Sequence, residues 1–328
     1  MTARRGPEAG RAPQRTAVVV NPARVDDLEQ RRESIRAALA DAGWPEPAWV
    51  ETTPEDPGTG QTRAAVQAGA EVVFVLGGDG TVMAAVAAMT ELAEAGGRRA
   101  ALAVLPAGTG NLLARNLDLP DDAAAGVRLA TEGGRRQIDV ARLIDDSCGH
   151  PFVVMAGMGF DAAMVDGVPA QVKRVFGWPA YVVSGLRHLY RRRFDVTVII
   201  DDGPPVQRRV TSVVIGNVGR LQGGVRLLAA ASPDDGVLDI GLLRPKGLTG
   251  WGALAAGLLL RRRIPVGLEV LRGSRVDVRT PKPQPRQVDG DPVEPGTRLL
   301  VEVLPGMLEL CVPRDGESAD LRPDGYAA

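Results

Sequence analysis

The sequence predicts an α/β domain built on a parallel sheet, followed by an antiparallel β-sandwich. Two apolar runs, at 72–76 and 100–105, each end in a glycine-rich loop that leads into a helix-like segment. Successive units of this kind build parallel sheets. After Gly133-Gly134 the pattern changes to strands separated by tight turns, which favours a sandwich over further βαβ units. We therefore predict a disordered tail at 1–15, the α/β domain at 16–134, the sandwich at 135–313 and a second disordered tail at 314–328.

The first domain is predicted to begin with a strand at 16–20, which ends at Asn21-Pro22. An amphipathic pattern over 26–42 indicates a helix that Gly43 terminates. The remaining elements are a short strand at 48–53, a helix at 63–70, the two apolar strands, and helices at 112–117 and 121–131.

The second domain is predicted to consist mainly of strands. Apolar and polar residues alternate on both sides of Asp202-Gly203-Pro204, which is typical of a hairpin. Two helices are expected, at 172–193 and 247–264. The predicted strands are 136–145, 151–159, 195–201, 206–217, 225–231, 237–243, 268–272, 275–279, 298–303 and 307–312, with a proline-rich loop after 279.

Composition excludes several classes of protein. The 328 residues are enough for two cores, and a net charge of −1 argues against a nucleic-acid binder. Two cysteines and two histidines are too few for a disulfide framework or a zinc site. The N-terminus lacks the apolar segment of a signal peptide, and the longest apolar run, 251–260, is too short to span a bilayer. We expect a cytoplasmic protein, soluble or peripheral on the inner face of the membrane.

The first glycine-rich loop is Gly77-Gly78-Asp79-Gly80-Thr81. Glycines at the start of a helix allow close approach of a ligand, and the unpaired backbone N–H groups and the helix dipole favour an anion. A carboxylate beside phosphates needs a cation or a hydroxyl group as its partner. The loop therefore predicts a nucleotide-phosphate site in which Asp79 contacts a magnesium ion or a substrate hydroxyl.

The second loop is Pro106-Ala107-Gly108-Thr109-Gly110-Asn111. It follows the neighbouring strand, so both loops are expected at the carboxyl edge of one parallel sheet. Neither loop matches the dinucleotide-binding fingerprint, and neither has the Lys-Ser/Thr pair of a Walker loop.

The two motifs together resemble the catalytic domain of the diacylglycerol kinase and sphingosine kinase superfamily. The first motif alone is shared with NAD kinases, and the second, at this spacing, is typical of the lipid-kinase branch. The resemblance implies that ATP binds at Gly77, Gly78, Asp79, Gly80 and Thr81 of the first loop and at Gly108 and Thr109 of the second. It adds Asn21 and Thr52, although Asn21 also suits a turn and Thr53 competes with Thr52.

The resemblance also implies a magnesium site and a general base. The family's magnesium turn corresponds to Asp235 with the carbonyls of Ser232 and Val237; Asp234-Asp235-Gly236 also suits a hairpin turn. The family's Asp-Gly-Glu, whose Glu is the proposed base, stands here as Asp289-Gly290-Asp291. Asp291 is thus the expected base, with a side chain one methylene shorter, and Asp289 is the alternative. If neither of them is the base, Asp79 is the candidate for this catalytic role. Another departure is Met83, where many relatives have Asn.

The expected activity is transfer of the γ-phosphoryl group of ATP, with Mg²⁺, to a hydroxyl of diacylglycerol or a related lipid. NAD kinase is one alternative, although the Asn-Glu pair of that family is not found. A non-catalytic regulator that binds lipid or nucleotide is another. We predict a lipid substrate at the membrane surface as partner and no nucleic acid, with a homodimer left open.

The lipid is expected near Phe160, Trp178 and Trp251. The family's Gly-Phe-Asp-Ala signature stands here as Gly159-Phe160-Asp161-Ala162, where Asp161 suits either a cleft or a helix cap. Arginines lie at 187, 191–193 and 261–263. They could bind anionic lipid at the membrane surface, or they could be solvated residues near the C-terminal ends of helices.

Overall fold

The computed structural model describes residues 11–144, 149–159, 193–220, 226–245 and 266–314, together with six positions between 247 and 256. The chain divides into two compact units. The first unit comprises Met1–Ile138 and Met307–Ala328, and the second comprises Asp139–Gly306.

The first unit is built on a parallel sheet. Its strands are β1 (Thr16–Val20), β2 (Ala48–Glu51), β3 (Val72–Gly77) and β4 (Ala101–Pro106), in the order β2-β1-β3-β4. Every residue of β1, β3 and β4 is buried, as expected for a parallel sheet that is covered on both faces. This confirms the predicted parallel sheet.

The helices that the structure describes beside these strands are α1 (Leu28–Asp41), α2 (Thr59–Gln67), α3 (Asp79–Glu94), α4 (Leu112–Asn116) and α5 (Ala123–Glu132). Helices α1 and α5 pack together in the core cluster that includes Ile35, Phe74 and Val127, and α2 packs against α3. The predicted helices are confirmed, but α2 begins at Thr59 and not at 63. The carboxylate of Asp56, which accepts hydrogen bonds from the N–H groups of Gly58 and Gly60, fixes this earlier start.

The second unit is built from antiparallel strand pairs. Its strands include β6 (His150–Phe152), β7 (Met155–Met158), β8 (Phe194–Ile200), β9 (Val206–Val210), β10 (Ser212–Gly216), β11 (Leu238–Leu243), β12 (Leu268–Gly273) and β13 (Arg275–Val288). Two further strands pass from one unit to the other along the chain: β5 (Gly134–Ile144) and β14 (Asp291–Val312). At its far end β14 pairs with β4 through Leu310 and Leu102.

Several predicted boundaries in the second unit were wrong. The strand expected at 151–159 is two strands, because the N–H groups of residues 153–155 bond to the side chain of Asp289. The strand expected at 206–217 divides at Thr211, whose N–H and hydroxyl both donate to the Leu243 carbonyl. The predicted strand at 225–231 is an isolated bridge from Arg226 to Arg220 followed by turns.

Two other differences concern long strands. The expected proline-rich loop after 279 belongs to β13, which shifts register between Arg279 and Arg286. The strands expected at 298–303 and 307–312 are one strand, β14.

Some predictions fall outside the described residues. They include the helix at 172–193 up to residue 192, residues 160–162 of the family signature, Trp178, Trp251 and the arginines at 187, 191, 192 and 261–263. The described positions between 247 and 256 are helical, as expected. Among the residues that the structure describes, none of the helices has the length and apolar character that a bilayer crossing needs.

Candidate functional site

The first glycine loop joins β3 directly to α3. Gly77 ends β3, Gly78 is the extended N-cap residue, and α3 begins at Asp79. A Cβ atom on Gly77 would lie 2.9 Å from the Thr81 Cβ, so packing within the loop already requires a glycine there. A Cβ on Gly80 would meet no atom within 4 Å, and Gly80 is exposed. Gly80 is therefore the glycine of this loop that leaves open space for a ligand.

The second glycine loop is closed by Asn111. This residue has a left-handed backbone, with φ 48°. Its Oδ1 accepts a hydrogen bond from the Gly108 N–H at 3.0 Å, and its Nδ2 donates to the Gly108 carbonyl at 2.9 Å. Thr109, between them, is exposed. The side chain of Asn111 thus fixes the conformation of the loop and leaves Thr109 at its surface.

The two loops are in direct contact. The Ala107 N–H donates to the Gly77 carbonyl at 2.9 Å, and a Cβ on Gly108 would lie 2.7 Å from the Gly78 Cα. A side chain at 108 would therefore force the loops apart, whereas a Cβ on Gly78 would lie 3.4 Å from the Gly108 Cα, an ordinary contact distance. The close approach of the loops explains Gly108 without reference to any ligand.

Asp79 bridges the loops with its carboxylate. Its Oδ2 accepts a hydrogen bond from the Asn111 N–H at 2.8 Å, and its Oδ1 accepts one from the Leu112 N–H at 2.6 Å. Sequence reasoning expected a magnesium ion or a substrate hydroxyl as its partner. In the structure both oxygens are bonded to backbone groups 32 and 33 residues further along the chain.

Asn21 and Thr52 lie at the same edge of the sheet as the loops, because they follow the carboxyl ends of the parallel strands β1 and β2. The Asn21 Oδ1 accepts a hydrogen bond from the Ala23 N–H at 3.2 Å, so the alternative interpretation as a turn residue applies. Thr52 is 7% exposed, and its N–H donates to the Val20 carbonyl. Their proposed contacts with a nucleotide stay predictions.

Asp289 and Asp291 have different environments. Asp289 is 8% exposed, and its carboxylate accepts hydrogen bonds from the N–H groups of Val153, Val154 and Met155 at 3.1, 3.1 and 2.7 Å. Asp291 begins β14 and is exposed. The structure therefore gives Asp289 a structural task and leaves Asp291 the more accessible of the two carboxylates.

The Asp234-Asp235-Gly236 turn contains an ion pair. One oxygen of Asp235 accepts a hydrogen bond from the Val237 N–H at 3.1 Å, and the other pairs with Arg272 at 2.5 Å. The Ser232 hydroxyl donates to Asp234. The predicted magnesium ligand is thus paired with a guanidinium group in the structure.

Two buried carboxylates lie near this turn and were not singled out from the sequence. Asp139 accepts hydrogen bonds from the N–H groups of Gly236 and Gly306 at 2.7 and 2.8 Å. Asp239 is fully buried, and Arg272 Nε lies 3.4 Å from its Oδ2. Burial raises the pKa of both carboxyl groups, and the charge of Asp235 raises the pKa of each further. In the sequence, each of these buried carboxylates is indicated by being the one acidic residue in an apolar run: Asp139 in 138–141 and Asp239 in 237–243.

The donor set at this turn suits a hard cation. Magnesium prefers carboxylate and carbonyl oxygens, which Asp235, Ser232 and Val237 supply. Both oxygens of Asp239 are buried and have no well-formed hydrogen bond to a described residue. Within the described residues, however, no three His, Cys, Asp or Glu side chains form a group that could hold a metal ion. Magnesium binding at Asp235 therefore stays a prediction.

Comparisons with known proteins agree with this architecture. Residues 15–143 match the family described as the diacylglycerol kinase catalytic domain. Residues 153–312 match the family described as the YegS C-terminal NAD kinase beta sandwich-like domain, which confirms the predicted sandwich.

Curated relatives and solved structures are similar over most of the chain. A probable lipid kinase YegS from Salmonella heidelberg is 28% identical over 75% of this chain and 80% of its own. A probable lipid kinase YegS-like protein from Cronobacter sakazakii is 28% identical over 88% of this chain and 93% of its own. A crystal structure of a diacylglycerol kinase from Bacillus anthracis superposes with a TM-score of 0.73 at 22% identity, over 91% of this chain and 97% of that one. The paired glycine loops, the two matched domains and these relatives agree, and over both domains the chain is similar to the diacylglycerol kinase-like superfamily.

Proposed function

We propose that this chain is an ATP-dependent lipid kinase, which transfers the γ-phosphoryl group to a hydroxyl of diacylglycerol or a related lipid. The observation that carries the proposal is the contact between the two glycine loops at one sheet edge, where Asp79 bridges them. The names of the relatives, probable lipid kinases, support the class of acceptor.

The nucleotide is assigned to the first unit. Phosphoryl transfer depends mainly on holding the phosphates in line and on stabilising their charge. The exposed Gly80 and Thr109 lie in the two loops and would face the phosphates. Gly77, Gly78, Thr81 and Gly108 would shape this surface, and Asn21 and Thr52 would contact the rest of the nucleotide.

The acceptor's proton is assigned to Asp291. The lipid hydroxyl oxygen forms a bond to the γ-phosphorus, the bond from that phosphorus to the bridging oxygen breaks, and ADP leaves with that oxygen. The hydroxyl proton passes to the Asp291 carboxylate. A general base must be accessible to its proton donor. Asp291 is exposed, whereas the carboxylate of Asp289 already accepts three backbone hydrogen bonds.

Magnesium is proposed at the Asp235 turn, with the carbonyls of Ser232 and Val237. Once bound, a divalent ion supplies positive charge that offsets neighbouring negative charge. The buried carboxylates Asp139 and Asp239 are the groups whose charge it would offset there.

Turnover of labelled ATP with extracted lipids, with NAD as a second acceptor, tests the proposal. We expect label in a lipid product and none in NADP. Phosphorylation of NAD without lipid product would identify an NAD kinase, and ATP binding without turnover would identify a regulator. Extraction of the labelled lipid and digestion of its headgroup would then identify the acceptor.

The partner and location remain part of the same proposal. We place the lipid substrate at the inner membrane surface and assign no nucleic-acid partner. A homodimer is left to a measurement of mass in solution.

A further inference from the structure

We propose that Asp79 and Asn111 are positioning residues, which together form a clasp that holds the second loop against the first and thereby sets the affinity for the nucleotide phosphates. This inference rests on the proposed function, because it assigns those phosphates to the two loops. It gives Asp79 a task different from the metal ligation and base chemistry that its sequence motif suggested.

Asp79 is bonded to the backbone of the second loop and of α4 through both of its carboxylate oxygens. Its two oxygens accept backbone N–H groups at 2.8 and 2.6 Å. Hydrogen bonds to an ionised acceptor are about twice as strong as neutral ones. These bonds tie the first loop to the end of the second, so the geometry gives this carboxylate the task of holding the two loops together.

The clasp leaves backbone N–H donors of both loops available to a ligand. In the described structure the N–H groups of Thr109 and Gly110 have no protein acceptor, and the Gly108 N–H is taken by Asn111. The N–H groups of Asp79 and Gly80 open α3, where an intrahelical acceptor is lacking. Each loop thus presents two adjacent backbone donors, which suits the oxygens of neighbouring phosphates.

Few contacts hold these two donor pairs next to each other. The loops meet at two glycines, where no side chain interlocks them. The backbone bond from the Ala107 N–H to the Gly77 carbonyl joins the loops near their starts, and the Asp79 bonds join the first loop to the end of the second. Without the clasp the second loop would have to be ordered when the nucleotide binds. That ordering costs binding free energy, so affinity for the phosphates must fall.

The test measures binding of ATP to the full chain without lipid at saturating Mg²⁺. We expect Asp79→Asn to raise the Kd for ATP about tenfold, a change of about 1.4 kcal/mol. An amide keeps one acceptor oxygen but turns its NH₂ group toward the second backbone N–H. The Mg²⁺ concentration for half-maximal turnover and the pH profile of kcat should stay unchanged. Amide hydrogen exchange at Asn111 and Leu112 should become faster, which can be measured without any substrate.

A second variant keeps the test independent of the folding of the first. Asn111→Gly tolerates the φ of 48° and removes the two side-chain bonds to Gly108. It should also weaken ATP binding, and the double variant should lose less than the sum of the two losses because the residues act as one unit. The matched control is Asp122→Asn, which alters a similar carboxylate cap, bonded to the Ala125 N–H at 2.8 Å on α5. The Kd for ATP of this control should not change.

Three results would overturn the inference. If the Kd for ATP of both variants stayed within about twofold of the parent value, the clasp would not set the affinity for the nucleotide phosphates. A large shift in the Mg²⁺ requirement of Asp79→Asn, with ATP affinity unchanged, would make Asp79 a metal ligand. Failure of the parent protein to bind ATP would refute the proposed function, and the inference with it. A parent that binds ATP and phosphorylates lipid, beside unaffected variants, would refute the inference alone.

Discussion

Replacing Asp289 and Asp291 separately by asparagine should divide stability from catalysis. At Asp289, Oδ1 accepts the N–H groups of Val154 and Met155, and Oδ2 accepts that of Val153. Asparagine can keep its oxygen on the first pair, but its NH₂ group then faces the Val153 N–H. One charge-assisted bond is lost and a buried donor is left unpaired, which costs about 1.5–3 kcal/mol.

Asp291→Asn should have the opposite profile. The residue is exposed, so the free energy of unfolding should change by less than about 0.5 kcal/mol. If its carboxylate takes the proton of the lipid hydroxyl, kcat should fall by about 10²–10⁴-fold, which corresponds to about 3–5 kcal/mol in the activation barrier. ATP affinity should remain near that of the parent. Asp291→Glu should be tolerated, because it restores the residue that the family has at this position.

Urea unfolding and steady-state kinetics on the same preparations provide the assay. We expect Asp289→Asn to unfold at lower urea with kcat largely retained. A collapse of kcat in Asp289→Asn, beside normal turnover in Asp291→Asn, would show that the two carboxylates have exchanged roles. If neither variant loses turnover, neither carboxylate is the base.

Three further predictions test other sites. Gly108→Ala should weaken ATP binding in a titration, because its Cβ would lie 2.7 Å from the Gly78 Cα of the other loop. Gly252→Ala lies in the second unit, meets no atom within 4 Å and serves as the control; equal losses in the two variants would contradict the packing argument. Burial alone would raise the pKa of Asp277, but hydrogen bonds from Arg298 and Arg279 outweigh burial, and the net effect is a lowered pKa. The ionised carboxylate therefore stabilises the fold at pH values above its unfolded pKa of about 3.9. Asp277→Asn should therefore destabilise by about 1–3 kcal/mol at pH 7, and the difference from the parent should shrink as the pH falls through 4; urea unfolding across pH checks this. Burial raises the pKa of the Cys311 thiol to about 12. In a Cys148→Ser protein, where Cys311 is the remaining thiol, a thiol reagent at pH 8 should therefore react only after unfolding. Rapid labelling of the native protein would refute this.

The first unit could be predicted from the sequence because its signals are local. The run at 72–76 is apolar at every position, and glycine follows it at once, so strand and loop are fixed within a few residues. The second loop has the same local form. What the sequence could not show is the partner of Asp79, because the N–H groups that it binds come from residues 111 and 112. A local sequence pattern cannot predict a hydrogen bond between residues that lie more than thirty positions apart.

The errors in the second unit have a similar cause. The prolines at 281, 283 and 285 are typical of a loop, yet β13 continues through them because the strand shifts register where they occur. The break after Phe152 depends on Asp289, which is more than a hundred residues away. In both cases pairing with another segment of the chain determines the local structure, which periodicity alone does not detect.

The course of β14 has a consequence for the way the protein is made. The first unit includes Met307–Val312, and Leu310 of this segment lies beside Leu102 of β4, while Cys311 is part of the same core as α1 and α5. During synthesis the ribosome therefore releases β4 long before β14, one of its two neighbours in the sheet, exists. An unpaired strand edge is prone to aggregation. We expect a ribosome stalled after residue 138 to present an incomplete first unit that chaperones or proteases recognise, whereas a chain released through residue 312 completes it.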